Sequence, residues 1–419
     1  MKTSPFASKL IEPKRKKMNT HSPASEKTAI IYHYRFDAAL GGGEYLPLLF
    51  ASELQKKGYS VIMAFDHESN LALAAKLYHI DLDTEKVKIM IIKPKNHFLL
   101  YLDTMLPFYR FWSLKKVLKK ADICISGANI FDFGKPAHHI ILQGRFLSDN
   151  AFSDFYMHRP PLKGFPLFIR KIRTFVAETF LRPLIGIRST RKLLADPREH
   201  FYVPSRYVGD AMRAFYGPFN CTLLYPPTMF EISPMDVERE PFRVIYLGRI
   251  HPEKEIDKII DIVDLARDLS KKPLTLQIAG YLKNNPYALS LQNIAEGKPW
   301  IQFVGPVFEE KKDAFLLSGT YAIHAERDEA FGISVTEYLK AGCISIVPDE
   351  GGTMEIVDNP DLTYHTVEEA AMILTHLVSD EEFRQKQLNR CKERAVFFSA
   401  DNYMRRQHEV LDCILKGSK

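Results

Sequence analysis

The sequence lacks the features that mark several common classes of protein. It contains no apolar run of the ~18 residues or more that a transmembrane helix needs. Residues 1–28 are polar and basic, without the apolar segment of a secretory signal, so we expect a disordered basic tail there. The five cysteines are scattered and form no Cys-x-x-Cys pair, which argues against a disulfide framework and favours reduced thiols in the cytoplasm.

Length and patterning indicate two domains of one class. A chain of 419 residues exceeds the roughly 250–300 residues at which a single core stops growing. Strand-like apolar runs at 29–34 and 59–65 flank a helical pattern, and further strands are expected at 89–92, 123–126 and 139–143. A second series begins at 242–248 and continues at 274–279, 301–304, 321–324 and 344–347. The sequence predicts an α/β fold of two Rossmann-like, doubly wound parallel-sheet domains, at 29–225 and 242–400, joined by a proline-rich linker at 226–241.

A basic motif follows the first strand pattern of the second domain. Gly248 comes at the expected strand end, and Arg249 and Lys254 follow it. Ligands bind at this edge of parallel sheets, where arginine offers phosphate a planar fork and lysine a point charge. The motif therefore predicts a phosphate site, with a solvated basic turn as the alternative.

The most informative segment, residues 323–357, contains two carboxylates, Glu329 and Glu337. Phe331 and Gly332 lie between them, and a Gly-Gly turn and Glu355 follow the next strand pattern. A helix N-terminus at this point suits phosphate, and ionised carboxylates accept hydrogen bonds from sugar hydroxyls. One loop and helix could therefore hold a nucleotide-sugar.

This segment resembles the signature of the retaining glycosyltransferases of family 4, which have the two-domain GT-B architecture. The resemblance covers Glu329, Phe331, Gly332, Glu337 and Glu355, together with the Gly-Arg…Lys pattern upstream. It implies two domains facing a cleft, and a last helix at 401–419 that crosses back to the first domain. It also implies transfer with retention of anomeric configuration, without a metal or other cofactor.

The resemblance also assigns roles to individual residues. Arg249 and Lys254 would grip the departing diphosphate, Glu329 the transferred sugar and Glu337 the ribose. Donor contacts are further expected at the residues of three glycine-bearing loops: Gly42, Gly43, Gly248, Phe331 and Gly332.

Two positions depart from the family pattern. Glu255 stands where a glycine usually follows the motif lysine, and Gln143 stands where many members place a histidine near the reacting sugar. Glutamine can hydrogen-bond a sugar hydroxyl but cannot act as a base. We expect Gln143, with His139 and Arg145, on the acceptor side.

A basic amphipathic segment in the first half suggests a membrane partner. Residues 163–192 carry eight Lys or Arg and one acidic residue, with aromatic and aliphatic side chains at near-helical spacing. Such a helix suits an anionic bilayer surface, and we expect contacts from Arg170, Lys171, Arg173 and Phe175. Residues 97–120 form a second candidate. The alternative is that these helices pack their apolar faces into the core, and nucleic acid is a poorer partner because no binding motif is present.

The sequence thus predicts a metal-independent hexosyltransferase that is cytoplasmic and peripherally bound to the membrane. It would move a sugar from a GDP- or UDP-linked donor to a lipid-linked or polysaccharide acceptor. Short motifs near residues 203–205 and 225–227 resemble the branch of mannosyltransferases that extend lipid-linked oligosaccharides. The alternatives are a GT-B nucleotide-sugar 2-epimerase, a phosphorylase, and a catalytically silent nucleotide-sugar-binding protein.

Overall fold

A computed structural model of the chain describes residues 27–36, 42–93, 112–114, 117–142, 150–158, 163–176, 179–180, 182–226, 228, 239–282 and 285–416. The predicted basic tail and the second amphipathic candidate therefore lie largely outside the described residues. Thr28, which we assigned to the tail, begins the first strand.

The first sheet has seven parallel strands in the order β3-β2-β1-β4-β5-β6-β7. The strands are β1 (Thr28–His33), β2 (Ser60–Phe65), β3 (Lys88–Ile91), β4 (Ile123–Ser126), β5 (His138–Ile140), β6 (His200–Val203) and β7 (Cys221–Leu223). The described helices around it are α1 (Gly42–Lys56), α2 (Leu71–Leu77), α3 (Asn150–Tyr156), α4 (Gly164–Val176), α5 (Arg182–Ile185), α6 (Thr190–Leu194) and α7 (Arg206–Tyr216).

The central strand β1 explains why this sheet is covered on both faces. Ala29 and Ile31 belong to one buried apolar cluster, whereas Ile30 and Tyr32 belong to another. Successive side chains of a strand point to opposite faces, so a strand without polar residues must bury both. The uninterrupted apolar run is therefore typical of a doubly wound sheet.

The second sheet repeats this order with six parallel strands, β10-β9-β8-β11-β12-β13. They are β8 (Arg243–Leu247), β9 (Thr275–Ala279), β10 (Ile301–Gly305), β11 (Tyr321–Ile323), β12 (Ile344–Pro348) and β13 (Thr363–Tyr364). The helices are α8 (Ile256–Ser270), α9 (Pro286–Ala295), α10 (Glu309–Ser318), α11 (Ile333–Lys340), α12 (Gly352–Val357), α13 (Val367–Ser379), α14 (Glu381–Phe397) and α15 (Ala400–Lys416).

The last helix, α15, leaves the second sheet and packs against the first. Its side chains Tyr403, Val410, Leu411 and Ile414 belong to the apolar cluster that contains Ala29. Their spacing of three, four or seven residues places them on one helical face. The two halves of the chain are therefore joined both by the linker and by this helix.

Three strands were not predicted from the sequence: β6, β7 and β13. Each has only two to four residues, too few for an alternating or continuous apolar pattern to stand out. Their pairing with longer neighbours stabilises them, and that pairing depends on distant parts of the chain.

Glu255, which replaces the glycine of the family pattern, adopts a backbone conformation that favours glycine. It precedes α8 with φ 47° and ψ 44°, and its side chain makes no capping hydrogen bond to that helix. Its carboxylate instead pairs with Lys258 at 2.6 Å on the surface. The left-handed conformation costs roughly 1–2 kcal/mol for a residue with a Cβ atom.

We predict that Glu255→Gly raises the free energy of unfolding by up to about 1 kcal/mol, because the relieved strain exceeds the added flexibility of the unfolded chain. Glu255→Ala is the matched control: it removes the surface pair but keeps the Cβ atom, so no gain is expected. Thermal unfolding of both variants measures this. A Glu255→Gly protein less stable than the wild type would contradict the prediction.

Candidate functional site

The predicted phosphate motif and the predicted sugar motif meet at one edge of the second sheet. The strand order reverses between β8 and β11, which pair with each other. Gly248 directly follows β8, and the loop that carries Glu329 follows β11. Ligands of open α/β sheets bind beyond the carboxyl ends of the strands at such a reversal.

The Lys254 ammonium lies at the centre of this edge. Its Nζ is 2.5 Å from Oε2 of Glu329 and also contacts the carboxylate of Glu326. The Lys254 and Glu329 side chains are only 13% and 17% exposed. They line a small polar cavity of about 10 Å³. Its lining also includes Tyr156, Arg249, Glu326, Asp328 and Ala330.

These contacts keep both partners charged. Burial alone would raise the pKa of Glu329, but the charge and the hydrogen bond of Lys254 outweigh this effect and lower that pKa to about 2. Burial alone would lower the pKa of Lys254, but the neighbouring carboxylates raise it. At neutral pH the cavity wall therefore carries a fixed cation between two acidic side chains.

His324 completes the buried group beneath the cavity. Its Nε2 is 3.8 Å from Oε2 of Glu329, and burial lowers its pKa to about 4, so the ring is neutral at pH 7. The ligand atoms of His324, Glu326 and Glu329 lie close enough to hold a metal ion. A metal would have to displace Lys254 from the same two carboxylates.

Glycines allow the Glu329 loop to pack closely against the turn after β12. The amide of Gly352 donates to the carbonyl of Glu329 at 2.7 Å. A Cβ atom at Gly352 would lie 2.4 Å from the carbonyl oxygen of Ala330. Gly332 precedes α11 with φ 102°, in the left-handed region. Glycine is therefore required at these positions so that the loop can adopt its course.

Glu337 lies inside α11 and pairs with a residue that the sequence did not suggest. Its Oε1 accepts a hydrogen bond of 2.5 Å from Nζ of Lys312 on α10. The pKa of Glu337 is raised overall, because the effect of burial exceeds the opposing effect of Lys312. The carboxylate is buried, and a ribose that binds there would share it with Lys312 or displace that cation.

Arg249 and Phe331 differ in what they offer a ligand. Arg249 lines the cavity with an exposed side chain, and within the described part of the chain it forms no ion pair. The Phe331 ring is buried against Tyr225 and Phe398, with centroid distances of 5.3 and 6.1 Å. Any contact that a ligand makes with Phe331 must therefore come from its backbone.

The structure describes only some of the first-domain residues that we expected to contact the donor or the acceptor. Gly42 and Gly43 begin α1 after β1, and a Cβ atom at Gly43 would lie 3.0 Å from Leu142. The prediction of His139 as an acceptor contact needs correction. Its side chain is 0% exposed and hydrogen-bonds Glu199 at 2.9 Å. Gln143 and Arg145 lie outside the described residues.

Helix α4 exposes the apolar face that the sequence predicted. Phe175 is 61% exposed, and the other exposed apolar residues of this helix are Phe165, Phe168, Ile169, Ile172 and Val176. Lys171 is exposed as well; Arg170 and Arg173 lie in the same helix, but their side chains are outside the described part. The alternative that α4 buries its apolar face in the core is therefore wrong. Among the described helices, none is long and apolar enough to span a bilayer.

The sequence missed several residues of this site, among them Tyr156, Glu326 and Lys312. Glu326 precedes Glu329 by three residues, but both lie in a loop. Their spacing in the sequence therefore did not indicate that the two carboxylates share a site. Tyr156 comes from α3 of the first domain and reaches the cavity across the interface. Only the packing of the two domains brings it there.

Residues 231–395 match the family model described as Glycosyl transferases group 1. The matched range includes Arg249, Lys254, Glu329 and Glu337. This part of the chain is therefore similar to the group 1 glycosyl transferases.

A mannosyltransferase of Candida glabrata is a weak relative. It is named GDP-Man:Man(3)GlcNAc(2)-PP-Dol alpha-1,2-mannosyltransferase and is 26% identical over 165 residues. The match covers 36% of this chain and 33% of that protein. The chain therefore matches about a third of the length of this curated relative.

Solved glycosyltransferase structures share the whole fold. Anabaena HepE in complex with UDP and glucose has a TM-score of 0.60 at 14% identity, covering 92% of this chain and 100% of its own. WaaG, a glycosyltransferase involved in lipopolysaccharide biosynthesis, has a TM-score of 0.61 at 13% identity, covering 92% and 99%. The pneumococcal O-GlcNAc transferase GtfA in complex with UDP and GlcNAc has a TM-score of 0.60 at 11% identity, covering 94% and 100%. These likenesses, with the two parallel sheets, confirm the predicted GT-B fold.

We predict that Lys254→Met lowers the free energy of unfolding of the second domain by roughly 3 kcal/mol, because it leaves two buried carboxylates without their cation. Adding Glu329→Gln should restore part of that loss. Lys258→Met is the matched control, since its exposed pair with Glu255 is worth less than about 1 kcal/mol. Denaturant titration measures all three. Equal effects of Lys254→Met and Lys258→Met would refute the central role of Lys254.

Proposed function

We propose that this chain, whose residues 231–395 match the group 1 glycosyl transferases, is a retaining, metal-independent hexosyltransferase of family 4. It moves a sugar from a GDP- or UDP-linked donor to a lipid-linked or polysaccharide acceptor at a membrane surface. The observation that carries the proposal is the cavity at the β8–β11 edge, where Arg249, Lys254 and Glu329 meet.

The charges around this cavity fit a nucleotide diphosphate joined to a sugar. Arg249 has an exposed guanidinium available to the phosphates, and the ammonium of Lys254 lies beside it on the cavity wall. The amides at the start of α11, after Gly332, add a partial positive charge. The ionised carboxylate of Glu329 accepts hydrogen bonds from sugar hydroxyls.

In the proposed reaction, the bond between the anomeric carbon and the β-phosphate oxygen breaks while the acceptor hydroxyl oxygen bonds to that carbon. Negative charge develops on the departing phosphate, and Arg249 and Lys254 stabilise it. Fixed groups of this kind typically contribute ~3–4 kcal/mol each to the transition state. The departing phosphate accepts the proton of the acceptor hydroxyl. In this proposal, Arg249 and Lys254 take the role that a metal ion would otherwise have at the departing phosphate.

The outer face of α4 supports an anionic bilayer as the site of the acceptor. Its apolar residues recur at intervals of three and four, so they form one exposed stripe, and the exposed Lys171 lies in the same helix. Residues 1–240 carry a net charge of +12, whereas residues 241–419 carry −6. The first domain would therefore face the membrane and the second would hold the donor in the cytoplasm.

The competing functions make different use of the same site. A nucleotide-sugar 2-epimerase needs no lipid acceptor, and the exposed stripe of α4 argues against it. A phosphorylase usually carries a lysine that binds pyridoxal phosphate, and no motif for one is evident. A silent binding protein would not depend on Glu329, so Glu329→Ala separates it from an enzyme: transfer should be lost while nucleotide binding remains.

We predict selective, metal-independent binding of GDP or UDP, measured by isothermal calorimetry with GDP, UDP and ADP in the presence of a chelator. Arg249→Ala should weaken binding at least tenfold without lowering stability, because its side chain is exposed and unpaired within the described residues. Arg267→Ala, on the far end of α8, is a control for loss of a cation. Binding that requires a divalent metal, or that survives Arg249→Ala, would contradict the donor site.

We predict that the protein binds vesicles containing anionic lipid and that salt weakens this binding. Replacing Phe168 and Phe175 with Ser, or Lys171 with Glu, should reduce binding roughly tenfold in flotation assays. Leu269→Ser is the matched control, because it removes an exposed apolar side chain from the second domain. Equal binding of neutral and anionic vesicles, or of the variants and wild type, would exclude the bilayer as the partner of α4.

A further inference from the structure

One carboxylate of the second domain caps a helix of the first. Oε1 of Glu355 accepts a hydrogen bond of 2.7 Å from the amide of Tyr207, and Oε2 accepts one of 3.0 Å from the amide of Arg206. These amides open α7, whose own capping residue, Ser205, binds only the next one, that of Val208, at 3.1 Å. The first amides of a helix have no partner within it and favour a negative charge. The helix is thus capped completely only when the two domains meet.

Hydrogen bonds from Arg394 hold the backbone at Glu355 in place. Arg394 on α14 donates to the carbonyl of Glu355 at 2.5 Å and to that of Ile356 at 2.9 Å. The Arg394 guanidinium also lies over the rings of Phe397 and Phe398, 4.5 and 5.1 Å from their centroids. The carboxylate therefore projects from a held backbone and has little freedom to follow α7 if the domains separate.

The same short helix, α12, is tied to the donor cavity. It begins at Gly352, whose amide binds the carbonyl of Glu329, and Glu355 follows one turn later. Ala330 is buried in an apolar cluster with Phe152 and Tyr156 of the first domain. The Glu329 loop is therefore held between α12 on one side and the first domain on the other.

We propose that Glu355 is a positioning residue for sugar transfer. By holding the N-terminus of α7, it sets how far the first domain closes over the donor cavity and fixes the Glu329 loop in that closed arrangement. Glu355 does not line the cavity, so it acts through α7 and the loop and not on the sugar. The inference rests on the proposed function for its effect on turnover, but its effect on domain arrangement is independent of it.

A second polar contact crosses the interface and provides a matched control. Nε2 of His158 lies 2.9 Å from Oε1 of Glu350, and these side chains are 68% and 33% exposed. Exposed pairs of this kind contribute little. Glu350 is five residues before Glu355 and also carries a negative charge, but it caps no helix.

The test compares Glu355→Ala, Glu355→Gln and Glu350→Ala with the wild type in three measurements: small-angle scattering, nucleotide affinity by calorimetry, and steady-state transfer. For Glu355→Ala we expect a larger radius of gyration, a nucleotide Kd within twofold of wild type, and a kcat at least tenfold lower. Glu355→Gln, which keeps an acceptor oxygen without the charge, should fall between. Glu350→Ala should match the wild type.

Three outcomes would overturn the proposal. Wild-type scattering and kcat in Glu355→Ala would show that the cap is dispensable. A nucleotide Kd weakened as strongly as kcat, in both Glu355 variants, would show damage to the second domain instead of a change in closure. Equal effects of Glu350→Ala and Glu355→Ala would show that the loss of a negative surface charge, and not the loss of the helix cap, changes scattering and kcat. If the wild type transfers no sugar, the proposed function fails, and scattering still decides whether Glu355 sets the closure.

Discussion

The contact of the Lys254 ammonium with two carboxylates is the interaction on which the rest of the site depends. Lys254 ends a short 3-10 turn after β8, whereas Glu326 and Glu329 follow β11, so the contact joins two neighbouring strand ends. Without this cation, the two buried carboxylates would repel each other, and no ion pair would hold their loop in its inward position. The same ammonium is one of two cations in a cavity wall that also contains three acidic side chains. One residue thus serves both the folding of the loop and the binding of an anion.

Much of this site was predictable because its residues lie close together in sequence or follow strand ends. Arg249, Lys254 and Glu329 come from two short motifs, and parallel topology brings successive strand ends to one edge. Tyr156 and Lys312 were not predictable, since each reaches the site from an element whose position depends on tertiary packing. His139 was misassigned because a polar residue on a short strand gives no sign of the buried carboxylate, Glu199, that binds it.

The fold was predicted more completely than the site, for a related reason. Long apolar runs such as residues 29–33 specify a strand buried on both faces, and their alternation with helical patterns fixes the class. The short strands at the sheet margins, β6, β7 and β13, have no such pattern. At Glu255 the sequence showed a departure from the family pattern but not its physical meaning. The backbone angle φ of 47° explains why glycine is common at this position.

The return of α15 to the first domain has a mechanical consequence. The chain passes between the domains twice, once after β7 and once between α14 and α15. The two crossings pack against each other: the Tyr225 ring lies 6.0 and 5.7 Å from the rings of Phe397 and Phe398. Both connections between the domains therefore pass through one small aromatic cluster. A substitution in that cluster would loosen both connections at once.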